Sequence, residues 1–208
     1  MMETSSPRSV VLIHGLWYGA VSLALVGRRL RKRSFETHAF GYPTLRQSLP
    51  ANAAALREFI AKLDLDQVDL VGHSLGGLVI LRMLDEYGDI PPGRVVLLGS
   101  PVHGSAVARR VAERRYFRPL VGQARAALEA GFSHAPAGRE TGIIAGSRSI
   151  GVGRIFGGLS EPNDGTVSLA ECRLEGADEC ILPVTHTGLV VAPSVVRAAA
   201  RFLTEGKF

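Results

Sequence analysis

Three side chains in this sequence have the types needed for acyl transfer, provided the fold brings them together: a serine between glycines, an acid and a histidine. Ser74 lies in Gly72-His73-Ser74-Leu75-Gly76, the G-x-S-x-G spacing of a nucleophile elbow. Glycine two residues before and two residues after the serine lets a strand and a helix approach closely around a sharp turn. Such a turn lifts the hydroxyl clear of the sheet, above a helix N-terminus. The unpaired N–H groups and positive dipole of that helix end favour the negative charge that acyl transfer generates. The plainer use of the same serine is as a helix cap.

A serine hydroxyl is a weak nucleophile until a base takes its proton, and the base needs a carboxylate to orient it. In open α/β sheets such groups collect on loops after the C-terminal ends of strands. Read in chain order, those loops offer Asp164 in Pro162-Asn163-Asp164-Gly165 and then His186 in Val184-Thr185-His186-Thr187. The order Ser, Asp, His is the one expected for this elbow. Asp164 has a competing role in an Asx turn with Gly165, and Glu161 and Glu171 are alternative acids. His186 has the alternative of a surface loop histidine. His14, His38, His73, His103 and His134 fit the base role less well from their positions. A developing oxyanion needs two backbone N–H donors. Leu75, after the nucleophile, is one candidate; Leu16, after His14-Gly15, is the other.

The elements that must carry these residues alternate in type. Ser9–Ile13, 68–71 and Val95–Leu98 are short apolar runs of the kind buried on both faces of a parallel sheet. Residues 35–40 form a more polar run suited to a sheet edge, 142–146 a fifth strand and 179–184 a sixth, which Pro183 assigns to an edge. Between them lie helical patterns. One follows Trp17 with Ser22 as a possible cap and Leu23, Val26 and Leu30 on one stripe. Another is capped by Ser48, with Leu49, Ala53, Leu56, Ile60 and Leu63 stepping by four and three. A third follows the elbow, and a last one runs from Pro193 to Leu203 and stops near Gly206. Residues 106–139 form the longest excursion, helical and interrupted by Pro119 and Pro136. They are expected either to cover the site in part or to lie as a plain surface helix pair. The whole reads as an α/β fold of about six mostly parallel strands with helices on both faces. With no linker, repeat or low-complexity segment, residues 1–208 are expected to form one domain.

Composition narrows the function classes. Apolar residues make up 46% of the 208 and charged residues 21%, which suits a globular chain with a substantial core. No run is long and apolar enough for a membrane span, so stable membrane insertion is not expected. Residues 1–8 are polar and run into a strand, so a cytoplasmic location is expected. The net charge of +5 comes largely from Arg28, Arg29, Arg31, Lys32 and Arg33 and from arginines at 109–118. These are read as solvated helix faces; no nucleic-acid motif accompanies them. Cys172 and Cys180 lack metal-ligand spacing and are read as free thiols in a reducing compartment. Nothing in the sequence sets an oligomeric state.

Taken together, Val11-Leu12-Ile13-His14-Gly15, Gly72-His73-Ser74-Leu75-Gly76-Gly77, Asn163-Asp164-Gly165-Thr166-Val167 and His186-Thr187-Gly188-Leu189 resemble the motifs of the α/β-hydrolase superfamily, in their order. Within it they are most similar to those of small bacterial lipases and esterases. Gly99-Ser100-Pro101-Val102-His103-Gly104-Ser105 is similar to the Thr-Pro-His-x-Gly-Ser segment of many lipases, with Ser100 at the Thr place. The resemblance implies a Ser74–His186–Asp164 triad hydrolysing a small-molecule acyl ester, without cofactor. The acidic calcium ligand that larger lipases carry shortly after their histidine has no counterpart beside Thr187 and Gly188, so no metal is expected. A large helical lid is missing as well, unless 106–139 is a reduced one. Thioester hydrolysis and acyl transfer remain open on the same triad. So does a non-catalytic ligand-binding protein on the same scaffold.

Overall fold

The computed structural model describes residues 7–113, 115–116, 119, 121–129, 131–151 and 159–208. Among these residues, six strands form one sheet in which every pairing is parallel. They are β1 (Ser9–Ile13), β2 (Glu36–Phe40), β3 (Asp69–His73), β4 (Val95–Leu98), β5 (Thr141–Gly146) and β6 (Asp178–Leu182), in the order β2-β1-β3-β4-β5-β6. The polar run at 36–40 is indeed an edge, and Pro183 directly follows the other edge strand. The helices are α1 (Ala24–Arg31), α2 (Leu49–Ala61), α3 (Leu75–Glu86), α4 (Ala106–Glu113), α5 (Ala124–Glu129), α6 (Leu169–Cys172), α7 (Gly188–Val191) and α8 (Pro193–Glu205).

Alternation along the buried strands divides the core in two. Val11, Ile13, Leu70, Val95 and Leu97 face α2, α3, α4 and α5. Val10, Leu12, Val71, Val96 and Leu98 face α1 and α8. The α2 stripe buries Leu49, Ala53, Leu56 and Ile60, with Leu63 half-buried; each large apolar side chain so buried contributes about 1.5–3 kcal/mol. Ser48 caps α2 by accepting from the Ala51 N–H at 3.4 Å. At the chain's end α8 stops at Gly206, whose φ of 77° closes it in the left-handed form.

One sequence expectation is corrected. Ser22 caps no helix. A 3-10 turn, Ala20–Leu23, precedes α1, and the Ser22 hydroxyl donates to the Gly19 carbonyl instead. The short polar side chain satisfies its own turn and leaves the α-helix to begin later. Within residues 106–139, Val107, Ala108, Val111, Val121 and Leu128 are buried. Part of the glycine-rich loop before Glu161, residues 152–158, lies outside the described residues, as do Arg114, Arg118 and the first six residues. Among the described residues no helix is long and apolar enough to cross a membrane. Cys172 and Cys180 are both free.

Candidate active site

The elbow is built by steric necessity. Ser74 sits between β3 and α3 with φ 52° and ψ −121°, a conformation that L-residues rarely adopt. A Cβ on Gly72 would come within 2.7 Å of the Gly77 backbone, so β3 and α3 close on each other only because residue 72 has none. Gly76 answers to a different neighbour: a Cβ there would lie 2.3 Å from the Ile13 carbonyl oxygen at the end of β1. From Val71 to Leu81 every residue except Ser74 is buried. Its side chain makes no cap bond to α3, which removes the plainer reading of this serine.

His186 and Asp164 are brought together from different loops. The His186 Nδ1 lies 2.7 Å from Asp164 Oδ2, with the carboxylate 1% exposed. A carboxylate only accepts, so Nδ1 carries the proton and Nε2 is left bare, the tautomer a general base needs. The other oxygen, Oδ1, accepts from the backbone N–H groups of Thr166 at 2.9 Å and Val167 at 2.7 Å. The turn role and the role of histidine partner, alternatives on sequence grounds, are thus both filled, one by each oxygen. The His186 N–H donates to the Asp164 carbonyl at 2.9 Å, which ties the two loops at the backbone as well. Gly99, with φ 55°, makes room for the pair. A Cβ there would meet Asp164 Oδ2 at 3.1 Å and His186 Nδ1 at 3.2 Å.

The competing acids are otherwise engaged. Glu161 is exposed. Glu171 completes a capping box with Ser168 and also accepts from the Ala106 N–H at the start of α4. The Ser168-Leu169-Ala170-Glu171 spacing was the signal for that cap.

Ser74, His186 and Leu16 line one cavity of about 250 Å³. Its walls include Val107, Ala108 and Val111 of α4, Leu128 of α5 and Val167; among the described residues no Asp, Glu, Lys or Arg contributes. The excursion after β4 therefore forms one wall of this cavity, and no separate lid element stands among the described residues. Leu75 opens α3, among the first N–H groups that a helix leaves without internal partners.

Sequence reasoning gave no role to two further residues, Tyr42 and His73. The Tyr42 hydroxyl donates to the His14 carbonyl at 2.7 Å, and its ring stacks on the His14 imidazole at 4.5 Å. It thereby fixes the segment that precedes Gly15 and Leu16. Burial pushes the Tyr42 phenol far above its ordinary range and His14 below its own, the latter opposed by a bond to the Gly15 carbonyl. His73, inside the elbow, is buried against His186, with ring centroids 4.7 Å apart. An aromatic two residues past β2 and a histidine beside the serine carry no signal of this in sequence, because their partners lie far along the chain.

Comparison with known proteins agrees with this fold. A family model described as the alpha/beta hydrolase family matches residues 10–197. No curated protein matches the chain. Among solved structures the chain is similar to a Bacillus licheniformis lipase, at 21% identity and TM-score 0.72 over 98% of this chain and 93% of that one. A metagenomic carboxyl esterase is also similar, at 21% identity and TM-score 0.73 over 97% and 77%. So is a type II thioesterase from the borrelidin biosynthetic cluster, at 16% identity and TM-score 0.69 over 96% and 92%. At these identities the likeness speaks for the fold.

Proposed function

The chain belongs to the alpha/beta hydrolase family, and from that premise we propose that it is a serine hydrolase cleaving carboxylic esters with an uncharged, apolar acyl group. The observation that carries this reading is the 2.7 Å bond between His186 Nδ1 and Asp164 Oδ2 at the edge of the cavity that Ser74 lines.

In this mechanism the Ser74 hydroxyl attacks the acyl carbon while His186 Nε2 takes its proton. Asp164 keeps the imidazole in that tautomer and stabilises the imidazolium that forms. The Leu16 and Leu75 N–H groups bind the oxyanion, a contribution of about 3–4 kcal/mol per donor. His186 then protonates the departing alcohol, and water repeats the sequence on the acyl-enzyme. The wall of Val107, Ala108, Val111 and Leu128 favours aliphatic acyl groups, at about 0.8 kcal/mol per methylene buried. Among the described residues it offers no partner to a charged acyl group. Because a thioesterase is among the similar structures, a thioester with the same acyl group is the second substrate class to measure.

Labelling with a fluorophosphonate tests the reading. Wild type is expected to gain one adduct at Ser74, and Ser74→Ala and His186→Ala none at matched exposure. Labelling that persists in Ser74→Ala, or no labelling of a wild type that binds an ester, would favour the ligand-binding alternative.

A further inference from the structure

His73 stands beside the nucleophile, yet the mechanism above gives it no part. It is 1% exposed. Its Nε2 lies 3.3 Å from the backbone carbonyl oxygen of His186. A carbonyl only accepts, so Nε2 carries the proton and donates. Nδ1 is then a bare lone pair, buried and without a hydrogen-bond partner among the described residues. It faces Gly15: a Cβ on that glycine would lie 3.0 Å from Nδ1 and 3.0 Å from the Ser74 Cβ. A proton on Nδ1 would be a buried donor with nothing to receive it. The ring is thus held neutral by its surroundings, and burial first, then its electrostatic interaction with the neighbouring His186, pushes its pKa well down. The ring packs on His186 at 4.7 Å and takes the edge of Tyr18 at 5.8 Å.

Asp164 grips His186 at one ring nitrogen and at its backbone N–H, but neither bond fixes the imidazole against swinging about the Asp164 carboxylate. His73 supplies the remaining constraints, a hydrogen bond to the His186 carbonyl and a ring packed at 42° against the imidazole. It also packs on Gly15, in the segment that precedes Leu16.

From this geometry we infer that His73 is a positioning residue. Its Nε2–H holds the His186 backbone, its ring limits the swing of the His186 imidazole, and the elbow, the base and the Gly15 segment are thereby set as one unit. The inference rests on the esterase reading for its kinetic consequence but not for its structural one.

The test compares His73→Leu, His73→Gln and His73→Asn with wild type. Glutamine places a side-chain N–H near the position of Nε2; asparagine places one near Nδ1. Two readouts are taken: kcat and KM on a chromogenic ester, normalised to fluorophosphonate-titrated sites, and amide hydrogen exchange across residues 184–189. His73→Leu should lower kcat about tenfold to a hundredfold, the scale of a small misplacement of a catalytic group, with KM little changed and exchange across 184–189 faster. His73→Gln should recover kcat to within about threefold, because it restores one hydrogen bond, and should restore protection. His73→Asn should do neither. Wild-type kcat and protection in His73→Leu would overturn the inference. So would equal behaviour of the Gln and Asn variants, or a change confined to KM. If leucine prevents folding, the Gln and Asn pair still decides. If wild type turns over no ester, the esterase reading fails by itself, and exchange in the Gln and Asn variants still decides whether His73 positions the loop.

Discussion

At the N-terminal end of β3 the buried carboxylate of Asp69 accepts two hydrogen bonds from the Arg8 guanidinium, at 2.8 and 2.9 Å, and one from the Arg94 N–H at 2.7 Å. The Arg94 guanidinium in turn reaches Glu140 and the carbonyls of Leu203 and Thr204. Four residues along the same strand, at its C-terminal end, the pattern reverses. Ser74 holds a positive φ, and His73 Nδ1, like Ser100 Oγ just beyond the neighbouring β4, is buried with no partner among the described residues. One end of the strand has its polar groups saturated; the other leaves some of them unmet. A stable fold has little reason to hold a strained serine and an unpartnered histidine nitrogen beside it unless something other than stability selects them. The contrast supports the proposed placement of the chemistry at the C-terminal end of β3.

Substitutions at the two ends should separate function from stability. The largest effect is expected from Ser74→Ala. Ester turnover should fall on the order of 10⁴-fold or more, while the midpoint of thermal unfolding stays close to that of wild type. Asp69→Asn should do the converse: it should cost about 2–3 kcal/mol by chemical denaturation, since it weakens charge-assisted bonds to Arg8 and Arg94. Turnover per titrated site should hold. A stability loss in the first variant equal to that in the second would remove the distinction between the ends.

Much of this was legible in the sequence because the signals are local. The apolar runs at β1, β3 and β4 and the glycines of the elbow state their requirements within a few residues. The polar character of 36–40 and the proline at 183 marked the two edges. The site was legible only as an ordered set of types, Ser74 then Asp164 then His186; that the last two meet at 2.7 Å is a property of the sheet. Elsewhere, distance in sequence hid the role. Tyr42 carries no local signal of its role because its partner, the His14 carbonyl, lies at the end of a different strand, β1. The two oxygens of Asp164 divide between two roles that composition could only set against each other. Ser22 misled because a serine ahead of an apolar stripe signals a cap whether or not a 3-10 turn intervenes.

A smaller effect should follow from Tyr42→Phe. Losing the hydroxyl that anchors the His14 carbonyl should lower kcat about tenfold, matching one hydrogen bond of roughly 1–1.5 kcal/mol, with KM nearly constant in steady-state assays. A change in KM alone would place Tyr42 in substrate contact instead.

The least effect is one of pH on stability. Burial lowers the folded pKa of His73, so below about 6.5, the unperturbed value of an imidazole, the unfolded chain binds more protons than the folded one. The stability held in the neutral form is therefore complete above that pH and is lost as pH falls through it, by up to about 1.4 kcal/mol per pH unit. Denaturation at a series of mildly acidic pH values should give a shallower slope for His73→Gln than for wild type. Equal slopes would mean that the ring is no less basic folded than unfolded.

The most direct test of the central claim is a crystal structure of the protein after reaction with a fluorophosphonate. The account predicts phosphorus bonded to the Ser74 oxygen, the phosphoryl oxygen within hydrogen-bonding distance of the Leu16 and Leu75 nitrogens, and His186 Nε2 facing the adduct with its Nδ1 still on Asp164. Phosphorus on any other residue, or a phosphoryl oxygen turned away from both nitrogens, would contradict it.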